Sequence, residues 1–147
     1  MTLQPGDRER LILYLDFLDT ELADLSGFVK INWSLYERDR AIRRNLERWI
    51  ENLINCSIDI AKVLLMDEGL KIPQTYRETL RTLGTIKPFN EAFGNSLARW
   101  AGLRNIIAHE YLDLSWPHIR KFLDEVEVTF GRLSETVRKI ITAEGKS

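Results

Sequence analysis

WPHIRKFLDEVEVTFGRLSETVRKII, Trp116 to Ile141, decides the fold. Trp116, Ile119, Phe122/Leu123, Val126, Phe130, Leu133, Val137 and Ile140/Ile141 recur at spacings of three and four. That period draws one apolar stripe along an α-helix. Ser115 stands where an N-cap is wanted, and Pro117 is tolerated in a first turn. A helix with one long apolar stripe must lie against other helices to bury it.

The rest of the chain repeats the pattern. Leu11, Leu15, Leu18, Leu22 and Leu25 predict a helix over 7–26, capped by Asp7 and stopped by Gly27. Its polar face is acidic, with Asp16, Asp19, Glu21 and Asp24. A second helix is predicted over 34–67 behind Asn32 or Ser34, with Ile42, Leu46, Trp49/Ile50, Leu53, Ile60/Ala61 and Leu64 as its stripe, ended by Gly69. Arg38, Arg40, Arg43, Arg44 and Arg48 crowd its first turns among Glu37, Asp39 and Glu47. They read either as a solvated, ion-paired face or as a basic patch. Asp59 interrupts an apolar run and needs solvent or a partner, for which Arg104 is a candidate. A short helix over 75–83 is expected to turn Tyr76, Leu80 and Leu83 inward. The break from Gly84 to Pro88 is expected to be mobile, and a further helix covers 89–109.

No strand pattern and no repeat occur. The expectation is an all-α chain, one domain over 1–147, built as an antiparallel bundle of four long helices plus one short one. Trp33, Trp49, Trp100 and Trp116 are expected in the core or at a dimer contact rather than as base-stacking platforms, and His118 at the surface without a role.

Composition narrows the function. An apolar fraction of 44% and a charged fraction of 29% are ordinary for a globular protein. A net charge of −1 argues against non-specific coating of nucleic acid, so any RNA contact must use a local patch or an assembled dimer. Cys56 is the one cysteine; it excludes an internal disulfide and, among apolar neighbours, reads as a buried thiol. Met1 to Asp7 carries no apolar signal core, and no apolar run reaches the roughly 20 residues of a membrane span, so a cytoplasmic protein is expected. There is no cysteine pair, no HExxH and no glycine-rich phosphate loop, so neither a metal nor a cofactor is called for.

What remains is Arg104-Asn105-Ile106-Ile107-Ala108-His109-Glu110-Tyr111. Arginine holds phosphate through a planar fork of donors, and histidine moves protons near neutral pH. On a straight helix Asn105 and His109 share a face, as do Arg104 and Tyr111. Arg104 and His109 stand about 140–150° apart at about 3.6 residues per turn. They meet only if the helix bends before His109, if Arg104 reaches round, or if two copies meet in a symmetric dimer, the arrangement favoured here.

Arg104-Asn105-x-x-x-His109-x-Tyr111 resembles the Arg-x4-His-x-Tyr signature of the HepT branch of the HEPN superfamily. Arg40-Ala41-Ile42, Ser57-Ile58-Asp59-Ile60-Ala61, Ile72-Pro73-x-x-Tyr76 and Ala101-Gly102-Leu103 are similar to that family's pattern as well. The resemblance implies a HEPN-type bundle, a homodimer and metal-independent endoribonuclease activity, as the toxin of a type VII toxin–antitoxin pair. His109 would be the general acid/base at the ribose 2′-hydroxyl, Arg104 would hold the scissile phosphate, Asn105 would orient either, and Asp59 would support Arg104. The resemblance also implies a nucleotidyltransferase antitoxin of the MNT type that adds AMP to Tyr111, a bulky anion that would block RNA. Glu110 beside His109 would slightly disfavour RNA approach. A confined substrate such as a tRNA end suits so small a basic patch. The other reading is a non-catalytic helical partner or substrate-binding subunit of a nucleotidyltransferase, which the acidic first helix would suit.

Overall fold

Local capping chemistry sets where each helix starts. Gln4 is extended and Pro5 occupies the first turn, so α1 runs Pro5–Ala23, opening ahead of the expected Asp7 cap. After a break at Asp24, a short α2 covers Leu25–Phe28. The Asn32 side chain accepts from the Leu35 amide at 2.8 Å and starts α3, Trp33–Arg38. Asp39 is extended (φ −100°, ψ 102°) and accepts from the Ile42 amide at 3.1 Å, which starts α4, Arg40–Asp67. The single helix expected over 34–67 is therefore two, because Asp39 makes a better N-cap than a helix-interior residue. Thr75 caps α5, Tyr76–Leu83, by accepting from the Glu78 amide, and Asn90 accepts from the Phe93 amide at 2.9 Å at the start of α6, Glu91–His109. The last helix, α7, is Trp116–Glu144.

This computed structural model describes residues 3–109, 112 and 114–144. Among them there are four long helices and three short ones, and no strand. None is long and apolar enough to cross a membrane.

Helix α4 is the axle. From Leu53 to Leu65 it is buried on almost every side, and it packs on α1, α3, α5, α6 and α7. Its pairing with α1 is antiparallel: the Gln4 amide donates to Asp67, the Cys56 thiol to the Tyr14 carbonyl, and the Trp49 indole to the Glu21 carbonyl. Gly69 (φ 73°) ends α4 with the Gly69 amide on Met66 and the Leu70 amide on Leu65, a Schellman closure that a residue with Cβ would strain. Rings join the layers: Phe28 stacks on Trp49 at 4.5 Å, and Phe122 of α7 takes Trp49 and Trp100 edge-on at 6.1 and 5.1 Å. Trp49 and Trp100 are core residues as expected, whereas Trp33 is half exposed. Burial pushes the Cys56 thiol up to about 12, so it is protonated at neutral pH.

The turn between α5 and α6 is packed into the core. It is anchored by the buried Ile86 and Phe89, and the backbones of Gly84 and Gly94 pass in direct contact. A Cβ on Gly94 would stand 2.8 Å from the Arg81 carbonyl and 2.9 Å from the Gly84 Cα. Backbone atoms there cannot swing aside. Gly131, inside α7, has nothing within 4 Å of its virtual Cβ. Denaturant unfolding should therefore find Gly94→Ala destabilised on the order of 1 kcal/mol or more, overpacking outweighing helix propensity. Gly131→Ala should gain up to about 1 kcal/mol.

Candidate active site

The burial of α4 leaves it one half-open stripe: Asn52, Asn55, Asp59 and Lys62, spaced as one helix face. Helix α6 packs on α4, and its Leu97 and Ala101 are fully buried. Arg104 follows them at spacings of seven and three, so it leaves α6 on its inner side, and the α4 stripe receives it.

Three contacts hold the half-buried Arg104. Its Nε donates to Asn55 Oδ1 at 2.9 Å, its Nη1 donates to Asn105 Oδ1 at 3.3 Å, and its guanidinium lies 4.9 Å over the ring of Tyr76. Tyr76 also carries Lys62 at 5.4 Å, so one ring supports two cations. The remaining guanidinium N–H groups make no hydrogen bond among the described residues. An arginine so held keeps donors for an anion without leaving its seat.

Several expectations change here. Tyr76 does not point inward with Leu80 and Leu83; it is 36% exposed and serves as a platform for Arg104. Asp59 is not the partner of Arg104, since no ion pair within 4 Å joins them; the amide of Asn55, one turn earlier on α4, takes that place. Burial raises the Asp59 carboxyl above the usual range, and nearby Lys62 partly opposes the rise. Asn105 is exposed and serves Arg104; it makes no hydrogen bond to His109. His109 is exposed and is the last residue of α6. Glu110 and Tyr111 lie outside the described residues.

Of the arginines read either as an ion-paired face or as a basic patch, three are engaged locally, while Arg40 and Arg44 are exposed. Arg43 donates to the Tyr36 and Glu37 carbonyls that end α3, Arg38 donates to the Ser34 carbonyl, and Arg48 pairs with Glu51 at 3.7 Å. On the acidic helix, Asp19 is taken up by Ser134 and Arg138 of α7.

The helix runs without interruption to His109, so it does not end before it. Arg104 is turned toward Asn55 and does not reach round. Five positions at about 1.5 Å rise and about 100° each keep the two groups on different sides of one helix. Within one chain, then, the guanidinium and the imidazole do not converge. Among the described residues no group of three or more histidine, cysteine, aspartate or glutamate side chains is placed to hold a metal ion.

Fold and site together describe an all-helical bundle that presents an anchored arginine and an exposed histidine from one helix. The family profile described as ribonuclease HepT-like matches residues 18–140, most of the chain, and the chain belongs to that family within the HEPN superfamily. No curated protein matches it at a significant level.

Asp59 gives a pH test. Ionising a carboxyl whose pKa is raised costs the folded state; the cost is absent below the ordinary value of 3.8 and complete above the raised one. Asp59→Asn should raise the melting temperature at pH 7, and the gain should vanish as the pH falls below 3.8.

Proposed function

We propose that this chain is a metal-independent endoribonuclease, the toxin of a type VII toxin–antitoxin pair, working as a homodimer. Arg104 of one protomer and His109 of the other would form each site. The observation that carries this reading is the pairing of an anchored Arg104 with an exposed His109 on one regular helix of a HepT-like ribonuclease. Since the two cannot converge within a protomer, a two-fold axis beside α6 is the economical way to join them.

The step is internal transesterification. His109 takes the proton of a ribose 2′-hydroxyl, and the oxygen attacks the adjacent phosphorus. Charge gathers on the non-bridging oxygens, where the open N–H groups of Arg104 meet it. The bond from phosphorus to the 5′-oxygen breaks, and that oxygen takes a proton from the imidazolium. The products are a 2′,3′-cyclic phosphate and a 5′-hydroxyl, so the nucleophile comes from the substrate itself. Asn55 and Tyr76 are positioning residues: they fix Arg104 and touch no substrate. Asn105 shares that role, and Asp59 acts only by keeping the α4 stripe polar.

Tyr111 would be the acceptor of AMP from an MNT-type nucleotidyltransferase partner. Two positions beyond His109, an added phosphodiester and base would repel and obstruct RNA.

Incubation of the purified full chain with a tRNA pool tests the reading. Wild type should yield fragments ending in cyclic phosphate. His109→Ala should lose about 10²–10⁴-fold in rate, and Arg104→Ala about 10²–10³-fold. Asn55→Ala should lower kcat more than it raises KM, since it loosens the group that meets the transition state. Equal, negligible turnover by folded wild type and His109→Ala would favour instead a non-catalytic partner of a nucleotidyltransferase.

A further inference from the structure

The surface of α5 and α6 beyond Arg104 carries a second group of arginines that the catalytic reading does not use. Arg77, Arg81, Asn95, Ser96 and Arg99 line a cleft of about 430 Å³, and no carboxylate lines it. Arg81 is engaged by Glu78, but Arg77 and Arg99 enter none of the ion pairs found among the described residues. Both are exposed.

The position of Arg77 is specific. Its guanidinium lies across α6 at Gly102, where a Cβ would come within 2.9 Å of Nη2. Glycine in a helix interior disfavours the helix, so Gly102 asks for a reason. The terminal Nη2 of Arg77 occupies the space that a Cβ there would take. Gly102 and His109 are seven positions apart, which on a regular helix is about 20° from the same face and about 10.5 Å along it. Arg99 lies three positions before Gly102, about 60° round the helix from it. Arg99 also forms the corner of a second cleft, of about 240 Å³, with Trp100, His118 and Lys121, where the buried Trp100 indole N–H has no acceptor. The exposed Asn95 and Arg99 of α6, with Arg77 of α5 laid across Gly102, thus set donors along the stretch of α6 that ends at His109.

We propose that this line, centred on Arg77 and Arg99, is a phosphate-binding track that holds the backbone of single-stranded RNA beside the cleavage site. It rests on the nuclease reading for its substrate. Planar guanidinium groups match phosphate oxygens in pairs, and amide and hydroxyl donors such as Asn95 and Ser96 suit sugar and phosphate. The track gives a chain of net charge −1 a place to meet a polyanion: three of the seven residues lining the cleft are arginines and none is a carboxylate.

The test uses a short, fluorescently labelled 2′-O-methyl oligoribonucleotide, which binds but lacks the attacking hydroxyl. Fluorescence anisotropy over a salt series gives affinity and slope. Arg77→Gln with Arg99→Gln should weaken binding and flatten the salt slope by about 1.4, at about 0.7 per phosphate contact on a single strand. A control of equal charge loss, Arg10→Gln with Lys139→Gln, should bind as wild type. Gly102→Ala should melt no lower than wild type yet bind more weakly, because only the mobile end of Arg77 has to move. Both double variants binding alike, or a loss confined to a protein partner with RNA affinity unchanged, overturns the track. Cleavage of the all-ribose oligonucleotide separates the two readings. Cleavage by wild type with binding indifferent to Arg77 and Arg99 sinks the track alone. Track-dependent binding with no cleavage by any variant sinks the nuclease alone.

Discussion

The hydrogen bond from Arg104 Nε to Asn55 Oδ1 is the constraint on which the site depends. Leu97 and Ala101 turn this side of α6 toward the core, and a charged group there would be costly without a polar partner. Asn55 supplies that partner from the central helix, and the face of Tyr76 supplies a second surface with negative potential. A guanidinium fixed at its Nε keeps its far edge free while losing little entropy when an anion arrives. The same bond fixes the direction of Arg104, and with it the separation from His109.

Everything around this bond serves α4. A helix buried from Leu53 to Leu65 on nearly all sides carries its amide and charged residues on its one open stripe, while the buried Ser57 is satisfied by the Ile54 carbonyl. Asn55, Asp59 and Lys62 occupy that stripe, and α5 and α6 close over it. The close passage of Gly84 and Gly94 brings α5 near enough to α6 for Tyr76 to lie under Arg104 and for Arg77 to cross Gly102. Packing and site are thus the same contacts seen from two sides.

Much of this was legible in the sequence. The apolar period of α7, the stop at Gly69, the Asn32 cap and the buried Cys56 follow from local rules that tertiary contacts reinforce. The break at Asp39 was hidden because no glycine or proline marks it; only the capping preference of aspartate did. Asn55 was readable as a polar residue inside Leu53-Ile54-Asn55-Cys56, yet its partner lies 49 positions away and no local rule names it. Tyr76 was misplaced because a phenol at a helix start satisfies a core pattern as well as a surface one. The arginine-rich start of α4 drew attention by density alone, while Arg77 and Arg99, scattered along the chain, come together only in three dimensions.

In the proposed homodimer, the guanidinium of one protomer would work with the imidazole of the other. Mixing Arg104→Ala protomers with His109→Ala protomers under exchange conditions tests this most directly. Each variant alone should be inactive, whereas a mixed dimer of the proposed kind would contain one site with both groups intact. The account predicts that RNA cleavage reappears on mixing, in proportion to the mixed dimer formed. Mixed dimers that form and stay inactive, with each homodimer folded, would contradict it.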